Sequence, residues 1–218
     1  IAILAVKLPE GHRSLKELGA EVTSSGGSFT LEQLTDGDIS NSGRLPAGKD
    51  GFAWIQYGFP QPQTIRSLTT INEIARNERH SIPAYCQDSL QISDDGINFK
   101  TVLGIPVGDA IQQTISFEPI TARYFRLKHK NPVSAYHYTM KEPLPDPEYS
   151  EIAEFVIYPE TRVNHFEEKA GYASAHDIEL NPTPAADNAV CTEVINLEGK
   201  VKNGRLVWKA PAGRWMLY

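Results

Sequence analysis

Hydrophobic and polar positions alternate along much of the chain between residues 52 and 158. Alternation with a period of two, in segments rich in β-branched and aromatic residues, is typical of strands that bury one face. The predicted strands are residues 52–59, 63–74, 89–93, 98–105, 113–117, 123–129 and 152–158. Short strands separated by turns predict an all-β fold, an antiparallel β-sandwich.

Turn residues and prolines divide these strands. Asp95-Gly96 lies between two of them and predicts a hairpin, because glycine adopts the positive φ that such turns require. Residues 30–34 and 163–172 are candidates for short helical turns. Prolines crowd residues 131–150, which predicts a long loop, because proline cannot donate a hydrogen bond to a β-ladder.

The pattern changes after Pro159. Three further strand candidates, residues 192–197, 205–209 and 213–218, indicate part of a second β unit. We therefore expect three regions: an N-terminal strand and connector from a flanking unit (1–19), a β-sandwich (20–159), and a linker with a partial second β domain (160–218). The chain opens on an apolar run without an initiating methionine, and we expect it to be a piece of a longer protein.

Composition narrows the classes of partner. The 218 residues are 40% hydrophobic and 22% charged, with a net charge of −6, and the basic residues are scattered. Nucleic-acid binding requires clustered Lys and Arg, so we exclude it. No apolar run approaches the about 20 residues that span a bilayer. Cys86 and Cys191 are either a disulfide or two separate thiols, and the count alone decides neither.

Four motifs in order resemble the discoidin fold (coagulation factor five/eight type C, or galactose-binding-like). They are Thr35-Asp36-Gly37-Asp38, Trp54-Ile55-Gln56-Tyr57, the run from Gln91 to Phe99, and Ala122-Arg123-Tyr124-Phe125-Arg126-Leu127. The resemblance covers about 140 residues and implies a jelly-roll β-sandwich. That superfamily includes many carbohydrate-binding modules.

A second resemblance covers more of the chain. Gly204-Arg205-Leu206-Val207-Trp208, then Ala210-Pro211-Ala212-Gly213-Arg214-Trp215, are similar to a segment of large bacterial α-L-rhamnosidases of glycoside hydrolase family 106. The stretch Asn164-His165-Phe166-Glu167-Glu168 fits the same region. The resemblance implies an accessory β-sandwich region of a periplasmic or extracellular enzyme whose catalytic barrel lies outside this chain.

The discoidin resemblance also implies a structural calcium ion. The matching positions are Asp36, Asp38, Asn41 and Glu154, with Asn41 where family members often have threonine. Ca²⁺ prefers several hard oxygen ligands, which these side chains and nearby carbonyls supply. Asp-Gly-Asp is equally a common turn sequence, so a metal site and a simple turn both stay open.

Two loops carry residues suited to a sugar. Residues 72–85 contain Arg76, Asn77, Arg79, His80 and Tyr85, and the long loop contains Tyr136, His137 and Tyr138. Aromatic faces cover the C–H patches of sugars, and charged groups bind their hydroxyls. The same composition is typical of surfaces that dock on another domain, which is the preferred interpretation.

No catalytic set is evident. Neighbouring acids such as Glu151 with Glu154, or Glu167 with Glu168, do not straddle a substrate as the paired carboxylates of glycosidases do. His129 shares the face of Leu127 and is expected to be a partly buried, hydrogen-bonded structural histidine.

We therefore predict a non-catalytic accessory module. Its expected partner is a carbohydrate, of which a rhamnose-containing one is an example, or the catalytic domain of the same parent chain, or both. A genuine carbohydrate-binding module with its own sugar site is the alternative. Protein–protein adhesion ranks last, because it would need an exposed apolar loop that we do not find.

Overall fold

The structure is a computed structural model that describes residues 3–8, 13–72, 88–105, 110–132, 145–172, 183–184 and 193–217. The chain forms two compact units, one of residues 15–184 and one of residues 1–14 with 185–218. The strands are β1 Leu4–Lys7, β2 Glu21–Ser24, β3 Gly43–Pro46, β4 Phe52–Asn72, β5 Asp88–Ser93, β6 Lys100–Ile105, β7 Gln112–Lys130, β8 Tyr149–Tyr158, β9 Val194–Asn196, β10 Val201–Lys202, β11 Arg205–Leu206 and β12 Trp215–Leu217. The helical segments are α1 Phe166–Lys169 and the 3-10 turns Gln33–Thr35 and Glu198–Lys200.

The larger unit is the predicted antiparallel β-sandwich. Its strands join in the order β3-β8-β4-β7-β5-β6, and β2 pairs with β4. The first half of β4 and the second half of β7 pair in one layer, with Tyr57 opposite Phe125. The other halves of the same strands pair in the second layer, with Leu68 opposite Ile115. The all-β prediction is confirmed.

Two pairs of predicted strands prove to be single long strands. The predicted strand 52–59 and residues 63–72 of the predicted strand 63–74 lie in β4, and residues 113–117 and 123–129 lie in β7. The β4–β7 register shifts between Gly58 and Gln63 and again between Ile65 and Ser67. Such irregularities bend a strand without ending it, so one strand serves both layers. The sequence also did not indicate the short edge strands β2 and β3.

The core of the sandwich lies between the two layers. The ring of Tyr57 on β4 stacks on Phe155 of β8, with centroids 5.0 Å apart, and the ring of Phe59 meets Phe125 edge to face at 6.0 Å. Tyr57 also donates a hydrogen bond to the Phe155 carbonyl oxygen, which satisfies its buried hydroxyl. Leu34, from the 3-10 turn, is fully buried in this core and anchors the loop that follows it.

The segment after β8 covers the edge of β7. The amide of Ser116 donates to Asn164 Oδ1 (3.0 Å) and the amide of Thr114 donates to Glu167 Oε2 (2.9 Å). The amide of His165 donates in turn to the Thr114 carbonyl (2.8 Å). Side chains here take the place of a neighbouring strand and satisfy ladder groups that an open edge would leave unpaired.

The smaller unit is a three-stranded antiparallel sheet in the order β12-β1-β9, with a separate β10–β11 hairpin. Ala5 of β1 is opposite both Leu217 and Ile195, and it is fully buried. The hairpin turns through Asn203 and Gly204, both at positive φ, as a tight two-residue hairpin loop requires. The N-terminal strand thus pairs with strands from the C-terminal end of the chain.

Candidate functional site

The residues predicted to hold calcium lie on and beside the loop that leads to β3. Asp36 accepts hydrogen bonds from the Asp38 amide at Oδ1 (2.8 Å) and from Asn41 Nδ2 at Oδ2 (2.6 Å). Glu154, buried on β8, accepts one from the Gly37 amide. Burial raises the pKa of the Glu154 carboxyl; the Gly37 bond opposes that shift and the charge of Asp36 adds to it. The structure therefore brings Asp36, Asn41 and Glu154 into one cluster.

Asp38 has a different role in this loop. Its Oδ1 accepts hydrogen bonds from the hydroxyl of Ser40 (2.6 Å) and from the amide of Ser40 (2.9 Å). The same bonds lower the pKa of the exposed Asp38 carboxyl. A carboxylate that bonds the backbone two residues ahead is the usual chemistry of a polar turn. Asp38 shapes the loop through Ser40.

A glutamine that the sequence did not single out lies beside the cluster and contacts the backbone of Asn41. Gln33 Nε2 is 2.9 Å from the Asn41 carbonyl oxygen, 2.8 Å from that of Ala153 and 3.2 Å from that of Ile152. The carbonyls and carboxylates are chemically suited to Ca²⁺, but an N–H donor stands where the three carbonyls converge. The described residues include no group of three or more His, Cys, Asp or Glu placed to hold a metal. The arrangement does not fit the ion, and we derive no role for a metal from it.

A second cluster lies on the outer face of the layer that contains the first half of β4. The guanidinium carbon of Arg126 is 4.3 Å from the ring centroid of Trp54 and 3.4 Å from that of Phe99. Lys128 Nζ is 3.9 Å from the ring centroid of Phe52, the outermost of these aromatics. We call these five residues the cation–aromatic face. The alternation in β4 already contained its signal, since Phe52 and Trp54 occupy the positions opposite to the buried ones.

Arg126 is held firmly in this face. Its Nε and Nη2 donate to Gln56 Oε1 at 3.1 and 2.8 Å, which leaves further N–H groups of its five for another partner. No carboxylate pairs with Arg126 within the part of the chain that the structure describes. Partial burial lowers the pKa of the guanidinium, although such a group stays charged at any ordinary pH. A cation that is partly desolvated and lacks a counter-ion is a common feature of recognition surfaces.

His129 links two other polar side chains in the core. Its Nδ1 is 2.8 Å from Asp88 Oδ2 and its Nε2 is 2.8 Å from Ser150 Oγ. Ser150, His129 and Asp88 are connected in the same order as the nucleophile, base and acid of a catalytic triad. Ser150 and His129 are only 1% and 5% exposed, so no substrate can reach the hydroxyl. The predicted hydrogen bonds of His129 are confirmed, and the residue is buried more fully than the sequence indicated.

The whole chain matches one protein-family model. The model is that of glycoside hydrolase family 106, described as α-L-rhamnosidase, and the match covers residues 1–218. The chain belongs to the α-L-rhamnosidase family. The family resemblance that the Gly204–Trp208 and Ala210–Trp215 motifs carried is thereby confirmed.

Three solved structures are similar to this member of the α-L-rhamnosidase family. A rhamnosidase from Novosphingobium sp. PP1Y matches all of the chain at a TM-score of 0.65 and 23% identity. The chain spans 19% of that protein. A pectin-binding carbohydrate-binding module matches 63% of the chain, and 88% of that module, at a TM-score of 0.42 and 21% identity. A chitosan-binding module from Paenibacillus sp. IK-5, in complex with chitotriose, matches 65% of the chain and 97% of that module. The TM-score is 0.43 and the sequence identity is 20%.

The similarity to the Novosphingobium rhamnosidase shows the fold. The TM-scores of the two binding modules are below 0.5, and those similarities carry no argument about this chain. No curated protein matches this α-L-rhamnosidase family member. The helices that the structure describes include none long and apolar enough to cross a membrane.

Several residues predicted from the sequence of this family member lie outside the described ranges. They are the sugar-site candidates Arg76, Arg79, His80, Tyr136, His137 and Tyr138, and the two cysteines, Cys86 and Cys191. The family motif near the C-terminus is described: the rings of Trp208 and Trp215 meet edge to face with centroids 5.5 Å apart. Trp215 Nε1 also donates to the Pro211 carbonyl oxygen (3.1 Å). The motif residues thus pack on one another within the smaller unit.

Proposed function

We propose that this chain is a non-catalytic β-sandwich region of a secreted α-L-rhamnosidase-type enzyme, and that its cation–aromatic face docks on another part of the parent protein. The observation that carries the proposal is the placement of Arg126 across Trp54 and Phe99, with Lys128 over Phe52. A periplasmic or extracellular location, and a parent that acts on rhamnose-containing plant-type polysaccharide, are parts of the same proposal.

The chemistry of the described acids supports a non-catalytic role. A glycosidase needs two carboxyls that face a sugar from opposite sides, with one of them free to deliver a proton. Glu167 is buried and accepts three hydrogen bonds from Gln112 and Thr114. Glu154 is buried beside Asp36 and bonded to Gly37. These carboxylates serve the fold, and we place the catalytic acids in the parent protein outside this chain.

The arrangement of rings and cations favours docking over sugar binding at this face. A sugar ring binds an aromatic side chain by laying its C–H patch on an open ring face. Here Arg126 lies on both Trp54 and Phe99, and Lys128 lies on Phe52. Tryptophan, phenylalanine and arginine are enriched in the buried centres of protein interfaces. An acidic residue of the partner surface would supply a carboxylate that Arg126 does not find among the described residues.

The test is the association of this 218-residue chain with the separately produced remainder of its parent, followed by titration calorimetry. Replacing Phe52 and Lys128 together, Phe52→Ala with Lys128→Ala, should weaken the association by about 30-fold, the usual loss for an interface hot spot. Both side chains are on the surface, so the variant should keep its fold.

A matched control exists on the other layer. Arg44 lies over the Tyr149 ring, with its guanidinium carbon 4.4 Å from the centroid. Arg44→Ala with Tyr149→Ala removes the same kind of pair and should leave the association unchanged. Equal losses for both variants, or no association of the unaltered chain, would contradict docking through this face. Saturable binding to rhamnose-bearing pectic oligosaccharides that is lost on Arg79→Ala or Tyr136→Ala would instead support a carbohydrate-binding module.

A further inference from the structure

Three backbone carbonyls of the sandwich point at one side-chain atom. The oxygens of Asn41, Ala153 and Ile152 lie 2.9, 2.8 and 3.2 Å from Gln33 Nε2. The first belongs to the loop before β3 and the other two to β8. Carbonyl oxygens repel one another, so a point at which three converge is stable only if a cation or an N–H donor fills it. Gln33 fills it with an amide that has two hydrogens.

The chemistry decides which way the amide of Gln33 faces. Reversing it would place Oε1 against three carbonyl oxygens that have no hydrogen to offer. With Nε2 turned toward them, Oε1 becomes a buried oxygen without a hydrogen-bond partner among the described residues. An unsatisfied buried acceptor is unfavourable. The contacts of Nε2 must therefore outweigh that loss.

The carboxylates around Gln33 are engaged elsewhere. Both oxygens of Asp36 accept hydrogen bonds, from the Asp38 amide and from Asn41 Nδ2. Glu154 accepts from the Gly37 amide. The acidic residues that would ligate a calcium ion are thus part of the loop's own hydrogen-bond network.

We propose that the Gln33 amide takes the place of a structural calcium ion in this chain. The amide joins the loop of residues 36–41 to β8 through Asn41 and Ala153, the cross-link that an ion would otherwise provide. It carries no charge and needs no ion from solution. The loop therefore keeps its shape in the absence of divalent cations. This goes beyond the proposed function, which does not depend on how the loop is held.

The experiment measures the thermal unfolding midpoint of the whole 218-residue chain in excess EGTA and in excess CaCl₂. The unaltered chain should give the same midpoint in both. Gln33→Ala should lower the midpoint in EGTA by about 2–4 °C, because the carbonyls lose their donor. Added calcium should recover part of that loss, since a ligand that binds only the folded state stabilises it.

Gln63→Ala is the matched control. Gln63 Nε2 donates to one nearby carbonyl, that of Gln61 at 2.9 Å on the exposed corner of β4. Its midpoint should equal that of the unaltered chain in both buffers. If Gln33→Ala does not fold, Gln33→Glu keeps the length of the side chain but turns an oxygen toward the carbonyls. That variant should be unstable in EGTA and restored by calcium.

Each other outcome overturns the proposal. A midpoint of the unaltered chain that falls on chelation would show that an ion, not the amide, holds the loop. An unchanged midpoint of Gln33→Ala in EGTA would show that the amide holds nothing. A Gln33→Glu variant that calcium does not restore would show that Nε2 does not stand at a cation position.

Discussion

Single carboxylates in this chain stabilise turns by accepting backbone hydrogen bonds. Asp95, in the β5–β6 hairpin, shows this most fully. Its Oδ1 accepts from the amides of Asn98 (2.8 Å) and Ile97 (2.9 Å) and from the hydroxyl of Ser93 (2.7 Å), while Oδ2 accepts from Asn98 Nδ2 (2.8 Å). These bonds favour the ionised form and lower the pKa of Asp95 well below its ordinary value of 3.8, the Asn98 amide contributing most.

Asp95→Asn should therefore make the stability of the chain less dependent on pH. Because the pKa is lower in the folded state, the stabilisation by Asp95 is present above the ordinary pKa and disappears as the pH falls through the folded-state value. We expect the variant to be less stable than the unaltered chain at neutral pH, with the difference shrinking in acid. Urea unfolding midpoints across a pH series measure it.

Asp94→Asn is the control, because it removes a neighbouring charge without touching these bonds. A difference between Asp95→Asn and the unaltered chain that stays constant from neutral to strongly acidic pH would contradict this account.

At the scale of elements, polar side chains close edges that strands leave open. The short helix α1 is too small to be stable alone, and its buried residue Glu167 fixes it to β7. Oε2 of Glu167 accepts from the Thr114 amide, and Oε1 accepts from the Thr114 hydroxyl and from Gln112 Nε2, both at 2.7 Å. The segment is attached to the sheet mainly by hydrogen bonds to a charged group, which are stronger than neutral ones.

Glu167→Ala should lower the free energy of unfolding by about 2–4 kcal/mol, because it leaves buried donors of Gln112 and Thr114 unsatisfied. Chemical denaturation of the purified variant measures the loss. The carboxylate of the adjacent Glu168 bonds only to His165 within the described ranges and lies nearer to solvent. Glu168→Ala should cost less than about 1 kcal/mol, because this single bond is partly open to water. Similar losses for the two variants would contradict the conclusion that Glu167 fixes α1 to β7.

At the scale of the whole molecule, the hydrophobic core belongs to one unit. Every fully buried member of the large core cluster, from Leu34 to Ile157, lies within residues 15–184. The smaller unit has few buried apolar residues of its own among those described, chiefly Ala5 and Leu197. Since stability comes mostly from apolar burial, the sandwich should hold nearly all of the folding free energy of the chain.

A fragment of residues 15–184 should consequently unfold cooperatively on its own. We expect its thermal midpoint, measured by calorimetry, to match the main transition of the 218-residue chain within experimental error. The complementary ends would show no cooperative transition. A fragment that fails to fold, or that melts much earlier, would mean that the sandwich depends on contacts with residues 1–14 or 185–218.

Local patterns were sufficient for the fold class. Alternation marks which face of a strand is buried, and Asp95-Gly96 marks a hairpin, because both depend on neighbouring residues alone. The same information could not show that β4 and β7 each continue through a bend, since a register shift depends on the partner strand. The resemblance named Asp36 and Glu154 for one metal site; the structure places the two carboxylates near each other, and the metal itself stays a prediction. Alternation in β4 put Phe52 and Trp54 at positions of the same face.

By itself, then, the sequence determined the antiparallel β-sandwich and the family. It also indicated that the loop of residues 36–41 lies beside Glu154 of β8. Only the tertiary structure decided what fills that loop and what covers the edge of β7. Gln33 meets carbonyls more than a hundred residues away, and Glu167 meets the amide of Thr114. Backbone carbonyls and amides are the same at every position, so nothing in the residue types announces where several of them converge. That convergence exists only once these distant segments of the chain have folded together.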